Sequence, residues 1–180
     1  VKTLSRIVLE TTFMLETFAK RNIIILSGTA FLALMYAFQW IHAGVGDGPL
    51  LDSLLTVSDA RQRLAEMTSD QIRIHLIGTT TIDMVYPFAY AIFFSGLLYR
   101  LGGTWQKTLV FLPLIGACFD LVENLIQVAV LVNFMDLLSL KPFVTWPKFA
   151  LAFISIALIL LLGFIRLCQS VIKHTSSRLH

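Results

Sequence analysis

LVFLPLIGACFDLVENLIQVAVLVNF, residues 109–134, is long and apolar enough to cross a bilayer, yet Asp120, Glu123, Asn124 and Gln127 stand inside it. Their offsets are i, i+3, i+4 and i+7, which is one face of an α-helix. A charged side chain at the bilayer centre costs roughly 2.5–3.5 kcal/mol on the insertion scale. Four polar groups on one stripe therefore need something opposite them, and the preceding apolar segment supplies it.

In that segment His75, Thr79, Asp83, Tyr86 and Tyr90 recur at helical spacing and again share one face. Pro87 removes one backbone hydrogen bond, so a kink is expected beside Asp83 and Tyr86, with the carbonyl of Asp83 freed as a spare acceptor. The connection between the two segments is short, which forces an antiparallel hairpin. At about 1.5 Å per residue, Asp83 and Gln127 lie at similar depth, Glu123 and Asn124 roughly 5 Å deeper, and Asp120 near the midplane. The two stripes are in register and predict one polar seam in the outer half of the membrane.

The composition agrees with a membrane protein. Of 180 residues, 57% are hydrophobic and only 14% charged, with a mean hydropathy of +0.79; soluble domains carry about 25% charged residues. The Lys and Arg residues are scattered at predicted helix ends, so no nucleic-acid face is expected. Cys118 and Cys168 both fall in predicted spans, which argues against a disulfide framework or a zinc cluster. No metal site and no cofactor is assigned. There is no Glu-x-x-His pair for a di-iron bundle, no Gly-x-Ser-x-Gly and no phosphate-cradling glycine loop.

The expected architecture is all-α: a single membrane domain over 1–180, an antiparallel bundle of four transmembrane helices at 22–41, 71–100, 108–134 and 146–167. Residues 1–20 read as an amphipathic interfacial helix, with Leu4, Ile7, Val8, Met14, Leu15 and Phe18 on its apolar side; docking of that helix on the protein's own loops fits equally. Residues 43–69 form an extracytoplasmic loop broken by Gly44, Gly46, Gly48 and Pro49, with a short helix capped by Ser58. Thr68 with Gln71 has the form of a capping box opening the second span. Met135 to Pro147 is read as a loop, and residues 168–180 as a solvated, partly disordered cytoplasmic tail. The fourth span is the greasiest and receives no chemistry.

Lys2, Arg6, Lys20, Arg21, Arg100, Lys107, Arg166, Lys173 and Arg178 fall on the side of the termini. Arg61, Arg63, Arg73, Lys141 and Lys148 fall on the other. The positive-inside rule then places both termini in the cytoplasm.

A purely structural network of interhelical hydrogen bonds accounts for an Asn or a Gln but not for three carboxylates, with no Lys or Arg expected in the spans to neutralise them. The first functional reading is a site that binds or transforms a small amphiphilic, lipid- or quinone-like molecule by acid/base chemistry. In it Asp83 and Glu123 form the titrating pair, Asp120 is a further candidate, and Tyr86, Tyr90, Asn124, Gln127, Thr79 and His75 contact the substrate. The second is an accessory or assembly subunit of a larger membrane complex, or a homo-oligomer. The third is a cation or proton site. Membrane lipids are partners in all three, and whether the chain is an enzyme stays open.

The segments Ile82-Asp83-Met84-Val85-Tyr86-Pro87-Phe88-Ala89-Tyr90 and Phe119-Asp120-Leu121-Val122-Glu123-Asn124 resemble a pattern, Asp-x-x-Tyr-Pro with Phe-Asp-x-x-Glu-Asn, of small bacterial integral membrane proteins with four spans. Asp70-Gln71-Ile72-Arg73 at the start of the second span is similar too. The resemblance covers roughly residues 60 to 130. It implies a four-span fold and a shared polar site, and no particular activity.

Overall fold

The computed structural model describes residues 10, 12–46 and 48–176, and among them the secondary structure is helical throughout, with no strand. In chain order the helices are α1 (Arg21–Val45), α2 (Val57–Glu66), α3 (Ser69–Gly78), α4 (Met84–Leu101), α5 (Gln106–Leu109), α6 (Phe111–Leu131) and α7 (Lys141–Ser176). Four stretches are long and apolar enough to cross a membrane: α1, the run Ser69–Leu101, the run Gly103–Leu131, and the run Leu138–His174. They are called the first to fourth spans below. Within their most apolar windows, 50% and 44% of the second and third spans are buried, against 11% and 6% of the first and fourth. The polar spans are the interior, and the greasy ones turn their residues outward.

The first span packs mainly along the second, while the second, third and fourth pack on one another. The first and fourth spans therefore stand apart across a face of the second. Aromatic rings pack there, where Phe31 meets Tyr86 at 5.5 Å and Tyr86 meets Tyr90 at 5.4 Å between ring centroids.

The second span starts where its cap dictates. Thr68 Oγ1 accepts from the Gln71 backbone N–H at 3.3 Å, and the Gln71 side chain accepts from the Thr68 N–H at 2.9 Å, the reciprocal capping box expected from the sequence. The distortion near Pro87 takes a specific form. Residues Thr79–Asp83 are a π-helical turn between α3 and α4. A π turn holds an extra residue and leaves carbonyls without their α-helical partners. Thr80 and Thr81 meet that need by donating their hydroxyls to the carbonyls of Leu76 (2.8 Å) and Ile77 (2.6 Å).

Residues 49–69 fold as a cap over the Ser69 end of the second span and the Leu131 end of the third. Leu51 and Ala60 pack against Leu131 and Leu138. Arg63, read from the sequence as a loop charge, is buried. Its guanidinium donates to the carbonyls of Pro49 (3.1 Å) and Val45 (3.3 Å), so it caps the C-terminus of α1, where a cation complements the helix dipole. The N-cap of α2 is Thr56 and not Ser58. Thr56 Oγ1 accepts the Asp59 N–H at 3.1 Å, and Ser58 lies inside the first turn, hydroxyl to hydroxyl with Thr56 at 2.9 Å.

Two boundaries move further. The fourth helix begins at Lys141, not Trp146, because Pro142 in a first turn lacks only a hydrogen bond that no helix start makes. It also runs on to Ser176, so residues 168–176 are helix and not a loose tail, whereas 177–180 lie outside the described residues. Most of the interfacial helix expected over 1–20 lies outside them as well. Residues 12–18 are helical, Leu15 is buried, and Arg100 Nε donates to the Ala19 carbonyl at 2.7 Å, which docks this turn on the end of α4.

Candidate functional site

The third span presents Asp120, Glu123, Asn124 and Gln127 to the interior as its spacing requires, all four at 1% exposure or less. The expectation that no Lys or Arg would neutralise them is overturned. Lys141 and Lys148, assigned to the outer loop and interface, lie inside on the fourth helix. Lys141, Thr145, Lys148 and Ser155 are buried on one face of α7, separated by 4, 3 and 7 residues.

The ammonium of Lys141 uses all three of its protons: on Glu123 Oε1 at 2.6 Å, on the Leu54 carbonyl at 2.6 Å and on Thr145 Oγ1 at 3.2 Å. Thr145 in turn donates to Glu123. The ammonium of Lys148 bridges Glu123 Oε2 at 2.7 Å and Asp120 Oδ1 at 2.8 Å. Glu123 is thus clasped by two cations and a hydroxyl, and Lys141 ties this charge network to the cap through Leu54. Charges taken out of water persist only when paired and hydrogen-bonded to this degree.

Asn124 serves the other helix. Its Nδ2 donates at 2.8 Å to the backbone carbonyl of Asp83, the acceptor that Pro87 frees. That bond, between second and third spans, holds the π turn in place. The Asp83 side chain is left without a hydrogen bond or ion pair to any described residue, although it is only 4% exposed.

Two adjoining cavities, of about 250 and 130 Å³, open where the first and fourth spans stand apart. Both are bordered by Tyr86, Asp120, Lys148 and Phe149. The larger adds Asp52, Asp83, Gln39 and Phe38. The smaller adds only carbon-rich neighbours: Phe31, Tyr90, Phe94, Ala152 and Ile156. Together they make a groove that is acidic at one end and apolar at the other, floored by Tyr86, Tyr90 and Phe94 one helical turn apart.

The sequence-derived residues therefore separate. Asp83, Asp120, Tyr86 and Tyr90 border the groove, whereas Glu123, Asn124, Gln127, His75 and Thr79 do not. His75 precedes the π turn and Thr79 is its first residue, and the extra residue of that turn breaks the single face expected for the second span. His75 Nε2 accepts the Leu51 N–H at 3.1 Å, and its Nδ1 faces the Thr79 hydroxyl at 3.4 Å, so the pair fastens the cap. Gln127 is enclosed beside the seam with neither polar atom of its amide hydrogen-bonded. Lys148, Asp52 and Phe149 were missed as site residues; Lys148 was legible as one face with Lys141 and Thr145. Among the described residues no group of three or more His, Cys, Asp or Glu converges as a metal-ion site. Compared with protein-family models, curated proteins and solved structures, the chain has no match in any of the three.

Proposed function

We propose that this chain is an integral membrane protein that binds a small, single-chain amphiphile in the groove between its first and fourth spans. The observation that carries this is the sorting of polarity along one continuous groove, with Asp52 and Asp83 at one end, Asp120 and Lys148 where the two cavities meet, and Phe31, Phe94, Ala152 and Ile156 at the other end. Pockets for small molecules combine apolar walls with a few placed polar groups, and this one lies at the lower end of their size range. Asp83 is the carboxyl placed to exchange a proton with a bound head group. Glu123, clasped by two ammonium groups away from the groove, holds the third and fourth spans together instead.

Ala152→Trp tests the groove without altering any charge. In phosphatidylcholine nanodiscs the wild-type chain is expected to bind dodecanol, and the variant to bind it at least about tenfold more weakly with unchanged helicity, a loss of 1.4 kcal/mol or more. Equal binding by a folded variant would remove the groove as the site. Native mass spectrometry of the wild type then names the amphiphile that co-purifies.

The proposed setting is a bacterial cytoplasmic membrane with both termini in the cytoplasm. Burial of Arg63, Lys141 and Lys148 supports it, because it leaves Arg61 and Arg73 as the exposed cations of the opposite side. The surface imbalance that sets orientation is then steeper than the sequence count. A cysteine at position 58, in a background lacking Cys118 and Cys168, is expected to react with an impermeant maleimide in intact cells. Labelling only after lysis would reverse the topology.

A further inference from the structure

The acidic end of the groove holds more carboxylates than cations, and the cations are already engaged. Lys141 has no proton left and lies behind Glu123, while Lys148 gives two contacts to Glu123 and Asp120. An arriving anion would meet one remaining Lys148 proton and three carboxylates. An arriving cation would meet Asp83, 4% exposed, with no hydrogen-bonding or ion-pairing partner for its side chain among the described residues, and bordering the larger cavity. Across that cavity Asp52 carries a buried Oδ1 that is likewise without a hydrogen bond. The rings of Phe38 and Tyr86, edge to face at 5.4 Å, and of Phe149 complete the wall. Ring faces attract a desolvated ammonium, and Phe149 already has the Lys148 ammonium 5.3 Å from its centroid.

We propose that the groove selects amphiphiles with a cationic head, an alkylamine or alkylammonium, whose nitrogen sits between Asp83 and Asp52 while its chain runs over Tyr86, Tyr90 and Phe94. This deepens the reading of the groove as an amphiphile site and rests on it. The third carboxylate, Asp120, stays on Lys148, so the head is recognised by groups that the folded chain leaves free.

The test uses the full chain in phosphatidylcholine nanodiscs with three probes of one chain length: dodecylamine, dodecanol and dodecyl sulfate. Binding is counted as the excess over discs carrying Ala152→Trp, which cancels partition into the lipid. Dodecylamine is expected to bind at least about tenfold tighter than dodecanol, the scale of one charge-assisted hydrogen bond, and dodecyl sulfate not measurably above the control. Asp83→Asn is expected to bring the amine within a few-fold of the alcohol while alcohol binding persists, and Asp52→Asn to narrow the gap in part. Equal binding of amine and alcohol by the wild type, tighter binding of the sulfate, or an amine preference that survives Asp83→Asn would overturn the proposal and leave the groove intact. Absence of specific binding by all three probes would remove the groove reading itself, and this proposal with it. If Asp83→Asn does not fold, Asp52→Asn decides, and an unchanged preference overturns the assignment.

Discussion

Glu123→Gln is expected to destabilise the protein by about 3–5 kcal/mol, the range for breaking a buried ion pair by removing one partner. The carboxylate is 0% exposed and receives both Lys141 and Lys148. The amide keeps the shape but holds no charge, and its NH₂ presents protons to ammonium groups. Lys141, 1% exposed, would retain only neutral acceptors, the Leu54 carbonyl and Thr145. Unfolding in mixed detergent micelles, followed by tryptophan fluorescence, measures the loss. Adding Lys141→Met should restore most of it, because Lys148 keeps Asp120 and the apolar side chain fits a site closed to water. A loss below 1 kcal/mol, or strictly additive losses in the pair, would show that the network is not the buried, coupled unit its geometry describes.

Lys148→Met is expected to cost a similar amount, and more than Lys141→Met does. Among the described residues Lys148 is the one cation in contact with Asp120, which is 1% exposed, so its removal leaves that carboxylate uncompensated. Removal of Lys141 leaves Glu123 paired with Lys148 and Thr145. Asp120→Asn in the Lys148→Met background should then recover stability, whereas Asp120→Asn with Lys141→Met should not. The same micelle titration ranks the four proteins. If Lys141→Met proves the more damaging, the division of labour between the two lysines is reversed.

The third span was legible in the sequence because four polar residues at helical offsets in an apolar run admit one arrangement. The freed Asp83 carbonyl was legible because the effect of a proline on the residue four before it is a matter of covalent geometry, and Asn124 does engage it. Two things escaped for physical reasons. Lysines beside Trp146 and Pro147 have the chemistry of interfacial anchors, and only a helix begun at Lys141 turns them inward with Thr145 and Ser155. Nor does hydropathy register one additional residue in a helical turn. The π turn at Thr79–Asp83 therefore splits a stripe that is continuous in the sequence spacing, sending Asp83 and Tyr86 to the groove and His75 to the cap.

The gap between the first and fourth spans changes what concentration means for this protein. On the proposed reading an amphiphile would enter this groove sideways from the bilayer, so occupancy would follow its mole fraction among lipids and not the amount dissolved in water. Doubling the lipid at fixed total ligand should nearly halve the occupied fraction when sites are sparse. A dissociation constant quoted per litre would then drift with vesicle content, while one expressed per lipid molecule stays fixed.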